Sequence, residues 1–197
     1  MDSKKDHSYI DEHIAASIET KKSILSDNAL KSEVHKVAQA CVDAYKKGNK
    51  VILAGNGGSA ADAQHIAAEF VSRFKFDRPG LPSISLATDT SMITAIGNDY
   101  GYENVFKRQL EANGKKGDIF FAITTSGNSE NIITAIEAAK KMGIKTVGFL
   151  GKTGGKINGS TDYTLNVPCT ETALIQESHI MLGHMICDFV ERSIFKK

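Results

Sequence analysis

The sequence predicts an α/β protein: a doubly wound, five-stranded parallel sheet flanked by helices, with extra helices ahead of the first strand. Three observations point there. Short apolar runs alternate with longer amphipathic stretches along most of the chain. The apolar runs are continuous rather than alternating, as in strands covered on both faces of a parallel sheet. Two of them enter Gly-rich or Ser/Thr-rich turns that open helices, which is how open α/β sheets present backbone N–H groups to an anion.

Helices are expected first over about 7–26 and 29–47, where there is no strand to alternate with. In the first, Ile10, Ile14, Ser17, Ile18, Lys21 and Leu25 form a narrow stripe that either packs on the domain's own sheet or joins the long C-terminal helix in a bundle between subunits; the second reading makes 1–48 an oligomerisation element. The first strand, 50–54, carries Val51-Ile52-Leu53-Ala54, and a helix over 60–74 follows its Gly-rich turn. A second strand is expected at 83–87. Helices follow at 90–97, on the apolar run Met92–Ile96, and at 103–113. The third strand, 118–124, holds Ile119-Phe120-Phe121-Ala122-Ile123 and leads through a Ser/Thr turn into a helix at 129–142. Strands at 146–150 and 163–167 and a long helix at 172–195 complete the pattern.

With 197 residues the chain suits one domain, 1–197, with a full hydrophobic core. The net charge of +1 gives no footprint for nucleic acid or membrane. Met1 to Asp6 lead into mixed polar sequence, so no secretory signal is expected. No run approaches the roughly 18 apolar residues of a membrane span. Cys41, Cys169 and Cys187, an odd and widely spaced set, read as buried, reduced thiols of a cytosolic protein rather than as a disulfide or a metal site.

The chemistry concentrates in a few segments. Gly55-Asn56-Gly57-Gly58-Ser59 follows the first strand and precedes His65 and Glu69, which lie one turn apart on one helix face. On its own a His/Glu pair at that spacing is an ordinary surface pair. Thr124-Thr125-Ser126-Gly127-Asn128-Ser129 follows the third strand, and its hydroxyls gather at a helix N-terminus, a cradle for phosphate. One such turn would be explained by Ser129 as a helix cap. Two, both at the C-terminal ends of strands, point to a phosphorylated ligand. The ligand is not expected to be ATP or NAD: Gly-x-x-x-x-Gly-Lys-Ser/Thr is absent, and Ala60 stands where a dinucleotide fingerprint needs glycine.

The last helix carries Gln176-Glu177-Ser178-His179 and then His184. Gln176 and His184 differ by about 80° around a helix, and Gln176 and His179 by about 60° the other way, so spacing leaves both histidines open. Gly97-Asn98-Asp99 reads either as a helix-ending turn or as a holder of sugar hydroxyls. Arg73 and Arg78 read equally as further phosphate or hydroxyl ligands and as solvated surface charges.

Together, Gly55–Ser59, Asp62-Ala63-x-His65-x-x-x-Glu69, Arg78-Pro79-Gly80, Gly97-Asn98-Asp99, Thr124–Ser129 and Gln176-Glu177-x-His179-x-x-x-x-His184 resemble the sugar isomerase (SIS) domain family. The likeness is greatest to its branch acting on seven-carbon sugar phosphates. The resemblance implies the SIS fold, a homotetramer, and interconversion of D-sedoheptulose 7-phosphate and D-glycero-D-manno-heptose 7-phosphate for bacterial surface glycans. It implies a Zn²⁺ site from His65, Glu69, Gln176 and His184. It implies substrate contacts at Asn56, Gly57, Gly58, Ser59, Glu69, Asn98, Asp99, Thr124, Thr125, Ser126, Ser129 and Gln176. Ketose–aldose isomerisation needs a base beside the carbon and an acid at the carbonyl, roles that fall to Glu69 and His184. Rival readings are a non-catalytic SIS protein that binds a replication initiator, a sugar-phosphate sensor domain, and an isomerase for a pentose or hexose phosphate.

Overall fold

The structure is a computed structural model that describes residues 7–195. The lead Met1 to Asp6, on which the expectation of no secretory signal rests, lies outside the described residues, as do Lys196 and Lys197. The elements run α1 (Ser8–Ser26), α2 (Asn28–Lys46), β1 (Val51–Gly55), α3 (Gly58–Val71), β2 (Ser83–Ser85), α4 (Thr90–Tyr100), α5 (Val105–Asn113), β3 (Ile119–Ile123), α6 (Glu130–Lys141), β4 (Lys145–Leu150), β5 (Tyr163–Asn166) and α7 (Thr172–Phe195). Single 3-10 turns at Tyr102–Asn104 and Gly155–Ile157 join neighbours.

The five strands pair in the order β2-β1-β3-β4-β5, all parallel. Winding runs outward from β1 to β2, then returns to the other side of β1 at β3. β1 and β3 therefore flank the switch point, and ligands of open α/β sheets bind at the carboxyl end of that crevice. The register pairs Gly55 with Ile123, so the Gly-rich and Ser/Thr-rich turns leave adjacent strands at the same height.

Successive strand residues face opposite sides. Leu53, Phe121 and Phe149 pack with Val37, Cys41, Ile66, Phe70 and Ile186 beneath α2, α3 and α7. Ile52, Phe120 and Ala122 pack with Phe106, Leu110, Ile132 and Ile136 beneath α5 and α6. Both faces are covered, which is why the strands read as unbroken apolar runs.

The two leading helices part company. α2 buries Val37, Ala38, Cys41 and Val42 in the core of its own domain. α1 buries only Thr20 and Ile24, and leaves Ile10, Ile14, Ile18 and Leu25 exposed. The apolar stripe expected on the first helix is therefore left uncovered by its own domain, whereas that of α2 packs on the sheet.

Two helix boundaries move with consequences. α3 begins at Gly58 rather than 60, since Gly57, at φ 55°, turns the chain into the helix without a side-chain cap. α4 continues through Gly97, Asn98 and Asp99 to Tyr100, so these residues form a last helical turn rather than a loop.

Candidate active site

The first turn is tied to the second by side-chain amides. Asn56 Nδ2 donates to Asn131 Oδ1 and Asn131 Nδ2 donates back to Asn56 Oδ1, each at 2.9 Å. Tyr102 Oη donates to the same Asn56 oxygen at 3.2 Å. Neither Asn131 nor Tyr102 was legible as a site residue; both lie in ordinary helix-start sequence and matter only because β1 and β3 are neighbours. Gly57 and Gly58 are exposed at the mouth of α3, whereas Ser59 is buried against Gly55 and faces the fold rather than a ligand.

In the second turn the Thr124 and Ser129 hydroxyls meet at 3.2 Å. Thr124 Oγ1 also accepts from Gly127 N at 3.3 Å, and Ser126 Oγ accepts from Asn128 N at 3.2 Å. Ser129 stands at the N-cap of α6 but makes no capping bond, so its hydroxyl remains with Thr124 at the positive end of the helix. Gly127, at φ 66°, lies against Gly154, a contact that leaves no room for a Cβ. Thr125, Ser126, Lys152, Cys169, Thr170 and Thr172 line a cavity of about 230 Å³ beside this turn. A wider groove of about 570 Å³, with His35, Lys47 and Lys116, lies by residues Lys116 to Ile119 that precede or begin β3, at the opposite end of the strands.

The acid–base groups come from α3 and α7. Gly183 lets these helices close up: a Cβ there would come within 2.5 Å of Ile66 Cδ1. That approach sets His65 Nε2 3.0 Å from His184 Nε2 and 3.1 Å from Glu69 Oε1. Each of the three residues offers one ligand atom, all within 4.8 Å of one another. His184 is half-buried, and its pKa is pushed down by burial and then by His65, against a smaller upward pull from Glu69. The Phe74 ring lies 5.4 Å from the His184 ring at 34°.

Gly58, Asp62, His65 and Glu69 follow one face of α3. Gln176 of α7 rests its amide on Gly58 at the head of that stripe. Burial raises the Asp62 carboxyl to about 6, with His65 opposing, and its Oδ2 has no partner among the described residues.

The remaining candidates separate cleanly. His179 is fully buried and donates from Nε2 to Leu150 O at 3.2 Å, so of the two histidines on α7 it is His184 that reaches the cluster. Arg78 is not a phosphate ligand: its side chain is 2% exposed and pairs with Glu191 at 3.1 Å. Arg73 is exposed. Asn98 donates to Asp99 Oδ1 at 2.8 Å, so these two exposed residues pair with each other on α4.

A parallel doubly wound sheet with two hydroxyl- and glycine-lined turns at its switch point, and a His/Glu/His cluster on the helix that one of them opens, defines a sugar-phosphate-handling protein of the SIS class. The SIS domain model matches residues 12–151. A phosphoheptose isomerase of Aneurinibacillus thermoaerophilus is 60% identical over 188 residues, 95% of each chain. The phosphoheptose isomerase GmhA of Neisseria gonorrhoeae superposes with a TM-score of 0.88 at 40% identity, covering 93% of this chain and 97% of that one. A phosphoheptose isomerase of Francisella tularensis gives 0.90 at 37% identity, over 94% and 97%. The chain belongs to the SIS domain family, in its phosphoheptose isomerase branch.

Proposed function

We propose that this chain interconverts D-sedoheptulose 7-phosphate and D-glycero-D-manno-heptose 7-phosphate, supplying heptose for bacterial surface glycans. The observation that carries the reading is the His65–Glu69–His184 cluster, two of whose members stand on the helix that opens from one of two anion-receptive turns at one switch point. The relatives' names supply the seven-carbon sugar. The phosphate is held by the Thr124, Thr125, Ser126 and Ser129 hydroxyls and the α6 N-terminus, with Asn56, Gly57 and Gly58 on the sugar. These contacts persist from ground state to transition state and serve binding rather than rate.

Glu69 moves the proton between the two carbons. His184, kept neutral by burial, gives and takes the oxygen-side proton, and Phe74 screens it from water. Two imidazoles and a carboxylate within reach of one another suit Zn²⁺, and Gln176 of α7, whose amide lies against Gly58 at the head of the α3 stripe, is the fourth candidate ligand. Bound there, zinc would supply Lewis acidity to the carbonyl and its neighbouring hydroxyl. A carboxylate sharing lone pairs with a cation would be a weaker base, so that either the Glu69 contact with the ion is loose or His184 carries more of the proton transfer.

We also propose a homotetramer in the cytoplasm, where charged sugar phosphates are retained. Exposed Ile10, Ile14, Ile18, Leu25 and Met185 support assembly through α1 and α7, beside a groove of about 360 Å³ lined by Ile24, Val34 and Met181. Among the described residues no helix is long and apolar enough to cross a membrane.

The test is incubation with sedoheptulose 7-phosphate, following aldoheptose 7-phosphate with chelator and with added Zn²⁺. Turnover that falls on chelation and returns with zinc is expected. No turnover from folded, zinc-loaded protein would replace this reading with the partner-binding one.

A further inference from the structure

We propose that the buried Arg78–Glu191 pair is a positioning device for Glu69 and His184, acting in part through Phe74; the proposal rests on the isomerase reading above. Arg78 and Glu191 side chains are 2% and 1% exposed. A buried ion pair is weak evidence for net stability, because desolvation offsets its attraction. What distinguishes this pair is where its hydrogen bonds go.

The guanidinium closes the end of α3. Arg78 Nη2 donates to Glu69 O at 2.7 Å, and Nη1 donates to Phe70 O at 2.6 Å and Ser72 O at 3.2 Å. The last carbonyls of a helix lack intrahelical partners, and a cation there also meets the negative end of the dipole. The backbone of Glu69 itself is thereby fixed. Glu191 lies two turns along α7 from His184, on the same side. Its carboxylate accepts from Phe74 N and Lys75 N, each at 2.8 Å, and from Arg78 Nε at 3.1 Å. Burial pushes the Glu191 carboxyl up, but these donors more than offset it and leave it below the ordinary range.

The segment 72–78 is thus bolted at both ends to the two helices that supply the reacting groups. Phe74, whose own N–H makes one of the ties to Glu191, is held with its ring against the His184 imidazole. The pair touches no reacting atom, so Arg78 and Glu191 are positioning residues, and Phe74 is the side chain through which they reach His184. Displacement of a reacting group by about 1 Å costs on the order of a hundredfold in rate.

The test compares wild type with Phe74→Leu, Arg78→Lys and Glu191→Gln. It measures kcat, KM and thermal midpoint, with crystal structures of each to read the His184 rotamer. Phe74→Leu leaves both ion-pair partners in place. It is expected to lower kcat about tenfold with KM within about twofold, an almost unchanged midpoint, and a His184 ring that leaves its single rotamer. Arg78→Lys keeps the charge but loses the fork, and is expected to lower kcat as well as the midpoint. Glu191→Gln weakens the pair and is expected to lower kcat as well; wild-type kcat in both Phe74→Leu and Glu191→Gln, with an unmoved His184 ring, would overturn the proposal and leave the pair a staple of the fold. If wild type itself turns over no heptose phosphate, the isomerase reading falls, and the His184 rotamer in Phe74→Leu still decides the positioning claim. If Arg78→Lys and Glu191→Gln do not fold, Phe74→Leu decides alone.

Discussion

At the scale of single residues, two substitutions separate chemistry from binding. Glu69→Gln keeps shape and loses the base, so kcat is expected to fall by roughly 10²–10⁴ with little change in KM. Steady-state rates on sedoheptulose 7-phosphate check this, and a near-normal kcat would remove Glu69 from the base role. Ser129→Ala removes a hydroxyl that caps nothing, and should raise KM by about tenfold, the size of one hydrogen bond to a charged group, with kcat intact. A large loss of kcat instead would place Ser129 in the chemistry. Residue identity made Glu69, His65 and the Ser/Thr turn legible in the sequence. The choice between His179 and His184 was not legible from spacing, because helix phase puts both within about 80° of Gln176, on opposite sides of it. It is settled by packing: His179 faces the sheet and Leu150, and His184 faces His65 across the gap that Gly183 permits. Arg78 looked like an anion ligand because burial beside Glu191, more than a hundred positions along the chain, leaves no local trace.

At the scale of elements, α3 and α7 run side by side with Gln176 on Gly58 and Gly183 on Ile66. Gly58→Ala would put a methyl group into the Gln176 amide. The amide is the far end of a flexible side chain, so it can swing aside and the helix survives. The expected result is a thermal midpoint close to wild type, with zinc affinity reduced about tenfold by chelator competition, the lower end of what loss of one supporting contact costs a metal site. Unchanged affinity would exclude Gln176 from the metal set. The five strands were legible because both faces of the sheet are covered, which turns each strand into an apolar run. Boundaries were less so. Gly97 read as a stop, yet α4 runs three residues past it and closes at Gly101, φ 86°, since Gly97 is accommodated against Val105 and Tyr102. The split between α1 and α2 was hidden for a similar reason: both are amphipathic, and only the fold decides which stripe meets the sheet.

At the scale of the whole molecule, assembly and stability both have handles. Ile14→Glu places a charge in the exposed stripe of α1 and touches no part of the domain core. Sedimentation should then report a lower mass at a nearly unchanged thermal midpoint. An unchanged mass would move the interface elsewhere. For pH, His179 is the informative group. Burial lowers it to about 4, against 6.5 for the ordinary side chain, and its Nδ1 has no partner among the described residues. The unfolded chain therefore takes up the proton first as pH falls. The stability this group contributes is full above about 6.5 and is lost progressively toward 4. Urea midpoints across that window should slope less steeply in His179→Gln, which keeps a donor for Leu150 O, by roughly one proton's worth. Equal slopes in the two proteins would show that His179 titrates alike folded and unfolded.

The cysteines offer a practical consequence. Cys41 and Cys187 are sealed in the core and burial holds both thiols far from ionisation. Cys169 alone is partly open, and it lines the same cavity as Thr125 and Ser126. A maleimide dye added to the native fold should therefore attach at one place without any engineering. Its colour and lifetime would then report whether sedoheptulose 7-phosphate enters that cavity, turning a protein with no engineered residue into a fluorescent sensor.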